Sequence, residues 1–217
     1  MTHTLKNIPL LLIFLFGSAE FLYAQTAVGI KAGTTGIGLE VVNSLNNNFN
    51  ARVNASFFAY GRSGEVEDDP NYNYDLDGSV KSFGAVVDYF PFNNWFKFTG
   101  GIYYHDFLVE GLIQPSEPYE VEGKVFQPER LGEITGQATY KSKIVPYLGL
   151  GVGNAVNQNS RVKVGFELGA MFTNNPNVDM QGKGMIAPTA NQADTFEDAM
   201  YSFKLYPVLN ISLTTRL

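Results

Sequence analysis

The 217-residue chain has no cysteine, one tryptophan and two histidines. Without cysteine there is no disulfide framework, no thiol nucleophile and no cysteine-ligated zinc. Lys and Arg number 15 against 21 Asp and Glu, a net charge of −6, so the basic surface that nucleic acid demands is missing. Also missing, beyond the first two dozen residues, is any apolar run near the roughly 20 residues that a membrane-spanning helix needs. Were the rest of the chain to enter a bilayer, it would have to do so as a closed barrel, the other structure that satisfies every backbone group in lipid. What is abundant is glycine (22), phenylalanine (17) and tyrosine (12), a mixture typical of aromatic-rich sheets.

Residues 1–24 read as an export signal, with Lys6 in a basic leading segment, a short apolar core from Ile8 to Gly17, and the small Ala24 before the expected cut. The domain division is therefore 1–24 signal peptide and 25–217 a single barrel domain. Removing the signal leaves His105 as the sole histidine.

The mature chain repeatedly alternates apolar and polar residues with a period of two, the mark of strands with two different faces. The pattern runs through 51–60, 83–90, 96–105, 144–152, 161–172 and 204–217. In the clearest case Val162, Val164, Phe166, Leu168, Ala170 and Phe172 share one face, opposite Lys163, Gly165, Glu167 and Gly169. Residues 27–43 change parity across Gly33-Thr34-Thr35-Gly36, which fits two short strands or one bulged strand. Two strands would bring the count to eight. Short Asn-rich turns at 44–49, 91–94 and 153–160 alternate with long connections at 61–79, 109–138 and 174–199, so the fold class expected is all-β: a closed antiparallel up-and-down transmembrane barrel with short periplasmic turns and long external loops. Phe196, Ala199, Met200 and Phe203 recur at helical spacing after Asp194, predicting a short helix in the last loop, and 119–126 suits a small hairpin. Pro146 and Pro207 fall inside strand patterns, where proline breaks a ladder, and call for bulges or extensions beyond the paired region.

The apolar face carries no charge, while the other is rich in Gly, Ser, Asn and Thr. An eight-stranded barrel has an interior just wide enough for side chains, which suits a small-residue face punctuated by Tyr103, Tyr147 and Tyr206. Tyr89, Trp95 and Phe96 near the short-turn end suggest an interfacial girdle. The three long connections hold 16 acidic and 4 basic side chains, whereas the rest of the mature chain is basic. Charges on the wall are costly unless partnered. Centring the short turns sets Glu40 opposite Arg52 and Asp88 opposite Lys97, with Lys163 and Glu167 on the same face of a further strand. The expectation is a lumen closed by a structural charge network of Glu40, Arg52, Asp88, Lys97, Lys163 and Glu167.

Other motifs carry less. Oxygen side chains at Asp69, Asn71, Asn73, Asp75 and Asp77 mimic a calcium loop, but Tyr74 stands at the glycine position and Val80 at the terminal glutamate, so no metal site is expected. His105 and Asp106 are strand neighbours that point to opposite faces and make no dyad. The runs GTTGIG and GLGVG lack the strand–loop–helix setting of nucleotide motifs. No catalytic residue and no cofactor is expected.

The opening AGTTGIGLEV with the following NARVNASFF, the segment VPYLGLGVGN and the terminal YPVLNISLTTRL resemble the small single-domain outer-membrane β-barrel proteins of Gram-negative bacteria, of the OmpA-transmembrane kind. The resemblance implies an integral, porin-like outer-membrane protein, structural, surface-interacting or small-solute in role. It implies contact with outer-membrane lipid and lipopolysaccharide, and recognition by the barrel-assembly machinery through the C-terminal strand, where Leu217 replaces the usual aromatic residue. The alternatives are a barrel enzyme acting on lipid or peptide and a soluble, lipocalin-like periplasmic binder with its apolar face inward.

Overall fold

The parity change at 33–36 is a tight turn. In the computed structural model, which describes residues 26–67, 71–92, 95–121, 123–156, 161–193, 195 and 204–217, strand β1 (Thr26–Gly33) reverses at Thr34–Thr35 into β2 (Gly36–Ser44). Gly36 sits at φ +96°, a conformation that glycine adopts without strain and L side chains rarely do. The chain continues through β3 (Phe49–Val66), β4 (Tyr72–Tyr89), β5 (Phe96–Pro115), a small hairpin of β6 (Tyr119–Val121) and β7 (Lys124–Phe126), helix α1 (Pro128–Leu131), β8 (Ile134–Tyr140), β9 (Ile144–Val152), β10 (Val162–Phe172), β11 (Pro176–Gly182), a 3₁₀ helix (Gly184–Gln192) and β12 (Leu205–Arg216). The signal segment lies outside the described residues. So does most of the expected helix after Asp194.

Eight of these strands close a ring, every neighbour antiparallel: β5-β4-β3-β2-β1-β12-β10-β9, with β9 returning to β5. Closure leaves no edge in this ring, and both prolines escape the ladder penalty. Pro146 pairs with Ile102, while the β9–β10 ladder stops one residue earlier at Tyr147. Pro207 pairs with Ala170 beyond the end of the β1–β12 ladder, and there its carbonyl accepts from the Thr34 hydroxyl at 2.9 Å.

The long connections differ from expectation. Residues 61–66 and 72–79 continue β3 and β4 as one long hairpin, 109–115 continue β5, β8 pairs with β5, and β11 pairs with β8. Much of what reads as loop is strand, forming a five-stranded sheet that rises from one side of the barrel.

Two registers also differ by two residues. Glu40 lies opposite Asn54 and Arg52 opposite Val42; Asp88 lies opposite Thr99. The first turn centres one residue later than its composition suggests, because the Asn46 side chain accepts from the backbone N–H groups of Asn48 and Phe49. A slip of two preserves which face each side chain occupies, whereas a slip of one reverses it.

Face assignment follows strand parity. Phe166, Leu168 and Leu209 point outward and are exposed, while Arg52 and Glu167 are buried. Leu150, Leu168 and Leu209 form one outward transverse row across three strands. At the short-turn end Phe49 stacks on Tyr89 at 4.9 Å, and Trp95 meets Phe96 edge-on.

Candidate functional site

The lumen is filled in layers. Nearest the short turns Ala27, Val42 and Val156 form an apolar cap, with Phe90 also buried. Toward the far end, Val86, Tyr103, Val145, Tyr147, Met171 and Val208 form a second apolar layer. The charged side chains lie between these layers.

Arg52 on β3 is the hub. Its Nη1 donates to Glu40 at 3.3 Å, and its Nη2 donates to Asp88 at 2.9 Å and to Glu167 at 2.5 Å. Lys97 on β5 completes the set, 3.3 Å from Asp88 and 2.9 Å from Glu167. The Thr99 hydroxyl donates to Asp88 at 2.7 Å, and Tyr147 donates its phenolic proton to Glu167 at 2.8 Å. Strands β3 and β10 are four places apart in the eight-strand ring, so the Arg52–Glu167 contact crosses the full diameter of the lumen.

Of the six residues singled out by sequence, five meet in this cluster. Lys163 does not: it is half-buried, lines a small hollow of about 20 Å³ beside the cluster, and takes no part in the cluster's ion pairs. Sequence reasoning missed Lys31. It is buried on β1, with its ammonium 3.1 Å from the Asn54 side-chain oxygen and 5.8 Å from the centre of the Tyr103 ring. Its parity, shared with Gly29 and Gly33 on the small-residue face, was the available signal. With Lys31 included, three buried cations face three buried carboxylates, which is the balance that burial of charge requires.

Tyrosines seal the layer above. Asn54 donates to the Tyr103 hydroxyl at 3.0 Å, and Tyr103 packs edge-on against Tyr147 at 5.1 Å. Glycine makes room for them. A Cβ at Gly84 would overlap the Tyr103 ring and lie 2.8 Å from Asn54 Nδ2. Gly84→Ala is therefore expected to destabilise the barrel by about 1–3 kcal/mol. Tyr103→Leu should relieve most of that penalty in a double-mutant cycle read by urea unfolding, whereas additive losses would remove the overlap as the cause.

Above the tyrosines, Ser82 Oγ lies 2.9 Å from His105 Nδ1, and the His105 ring packs against Tyr206 at 4.5 Å. Both Ser82 and His105 are fully buried, and His105 Nε2 has no hydrogen-bonding partner among the described residues. Asp106 points away and pairs with Lys143 at 2.9 Å. The oxygen-rich stretch lies partly on β4, with Asp75 and Asp77 on the face opposite Tyr74 and Leu76. Among the described residues no group of three or more His, Asp or Glu is placed to hold a metal ion. On the rising sheet Lys183 meets Glu133 at 2.6 Å, and that carboxylate holds the lysine above its ordinary pKa. The pair is solvent-screened and contributes little to stability.

No protein-family model matches the chain, and no curated protein matches it. Solved structures do. The crystal structure of Acinetobacter baumannii CarO is 21% identical, with a TM-score of 0.61 over 89% of this chain and 98% of that one. The crystal structure of Acinetobacter baumannii CarO2 is 19% identical, with a TM-score of 0.62 over 90% of this chain and 99% of that one. At this identity the likeness establishes a shared fold, the closed antiparallel barrel described above.

Proposed function

We propose that the chain is an integral outer-membrane β-barrel protein whose lumen is sealed and whose role is exercised at the cell surface, through the sheet that rises from one side of the barrel. The observation that carries the sealed lumen is the Arg52–Glu167 ion pair across its diameter, held between two apolar layers. A side-chain plug of this kind leaves no continuous water path. The membrane setting is supported by the outward apolar rows and by the aromatic pairs at the short-turn end, the girdle position of membrane barrels. A soluble lipocalin-like binder would have the reverse polarity, with apolar side chains inside.

In this setting the apolar rows meet outer-membrane lipid, the far rim meets lipopolysaccharide, and β12, which closes the ring against β1, is the strand offered to the barrel-assembly machinery. The reading is non-enzymatic. Among the described residues no acid meets His105 Nε2, and both Ser82 and His105 are buried, so we assign the pair a packing role.

The test has two parts. The detergent-extracted protein should migrate faster unheated than heated, as a folded barrel does. Reconstituted in planar bilayers, it should give no large, well-resolved conductance steps. Release from membranes by carbonate alone would contradict the membrane assignment. Stable steps of porin size would contradict the sealed lumen.

A further inference from the structure

Outward along β4 and β5 the side chains change character in a fixed order. Leu39, Ala55, Phe83, Tyr104 and Ile144 form an apolar outward row across five strands, with Phe83 and Tyr104 in ring contact at 6.3 Å. The next outward row, one step farther from the short turns, passes from Ile37 and Phe57 to Lys81 and Asp106. Ser79, Leu108 and Thr139 stand above it. On these two strands outward carboxylates return only at Asp77 and Glu110, about 13 Å farther along.

A bulge adds to the lysine level. From Tyr104 to Leu108 β5 advances four residues, while their partners Ile144 and Thr139 are five apart, so one extra residue is inserted about 141–143. Bulges at barrel rims re-aim side chains. Here Lys141 and Lys143 are both exposed, and Lys143 reaches Asp106 at 2.9 Å. Lys81 is directly opposite Asp106 yet makes no ion pair with it, and neither Lys81 nor Lys141 has a side-chain partner among the described residues.

Three lysines against one carboxylate leave two uncompensated positive charges. Directly below them Phe83, Tyr104 and Ile144 offer an exposed apolar floor. An anion that carries its own acyl chains matches both halves at once, with its charge on the lysines and its chains on the floor. Charge narrows the class further. A phosphate monoester bears about −1.5 to −2 at pH 7, close to the surplus, whereas a phosphodiester bears a single charge. Lysine ammonium groups bind phosphate as point charges, without the planar pairing that arginine brings. The carboxylates higher on the sheet repel anions and keep the phosphate at the lysine level.

On the membrane setting proposed above, we infer that Lys81, Lys141 and Lys143 hold a phosphate monoester of an acylated outer-leaflet lipid, the chemistry of the lipid anchor of lipopolysaccharide. Its chains lie on Phe83, Tyr104 and Ile144.

The protein is placed in phosphatidylcholine nanodiscs doped equally with diphosphoryl lipid A and phosphatidylglycerol, and the lipids that stay with the barrel are counted by native mass spectrometry. Lipid A should be retained about tenfold over phosphatidylglycerol, as expected for a doubly charged phosphate on free ammonium groups. The combined Lys81→Gln and Lys141→Gln variant should lose most of that preference while keeping heat-modifiable migration. Arg62→Gln with Lys183→Gln, which removes the same charge from the rising sheet, should keep it. Excess inorganic phosphate should not displace the lipid. Equal retention of both lipids, or a preference that survives Lys81→Gln with Lys141→Gln, would overturn the inference and leave the membrane assignment standing. Displacement by inorganic phosphate would mean a site for free anions instead. Release of the protein from membranes by carbonate would bring down the membrane assignment and this site with it.

Discussion

Arg52→Ala is expected to lose about 3–5 kcal/mol of stability and to open the barrel to ions. Among the described residues the guanidinium is the only group that touches Glu40, Asp88 and Glu167 together. Removing it leaves three buried carboxylates facing Lys97 and Lys31, one charge short of balance, with a vacated volume at the centre of the lumen. Water entering that volume would hydrate the carboxylates and create a path where the Arg52–Glu167 contact now crosses. The urea midpoint of the heat-modifiable band should fall sharply, and small cation-selective steps should appear in planar bilayers. Arg52→Lys should lie between, since one ammonium replaces one of the three contacts well and the others poorly. A silent Arg52→Ala barrel of unchanged stability would mean that the cluster neither seals nor supports the lumen.

The second large effect is on the outside. Leu168 lies in the row Leu150–Leu168–Leu209, in the middle of the outward apolar positions of β10. If lipid surrounds that row, Leu168→Arg costs about 2–4 kcal/mol, the range for a cation near the midplane. The same substitution at Leu76, on the rising sheet beyond the barrel, should leave membrane insertion unchanged. The yield of folded protein in outer-membrane fractions separates the two. Equal tolerance at both positions would argue against lipid contact along β10.

Much of this organisation was legible in the chain, because a two-residue period assigns faces without knowledge of the partners. Glu167 between Phe166 and Leu168 has one place to go once the strand closes into a ring. Register was harder. It depends on where a turn centres, and the Asn46 side chain moved that centre by one residue, so that Glu40 and Arg52 meet diagonally rather than face to face. The Arg52–Glu167 contact could not be read at all. It joins strands far apart in the chain and exists only because the ring is narrow. Lys31 was missed in a short segment whose small-residue face is mostly glycine.

The rising sheet was missed for a more instructive reason. Tyr72-Asn73-Tyr74-Asp75-Leu76-Asp77 alternates as strictly as any barrel strand, but its regularly spaced oxygens mimic a cation loop. Its acidity suggested solvent-exposed coil. Strand periodicity and a cation-loop pattern coincide whenever polar groups fall at every second position. The tie is broken by the residues between, which here are large and apolar, as a packed or ligand-covered face requires.

The central claim is that polarity is inverted in the barrel, with lipid outside and a dry ionic cluster within. The absence of native cysteine allows it to be tested along β10 by single spin labels at positions 164 to 171 in nanodiscs. Collision rates with oxygen, which concentrates in lipid, and with a water-soluble nickel complex are then compared. The result expected is oxygen access at 164, 166, 168 and 170, with neither reagent reaching 167 and 171. Nickel access at the even positions, or at 167, would contradict the account.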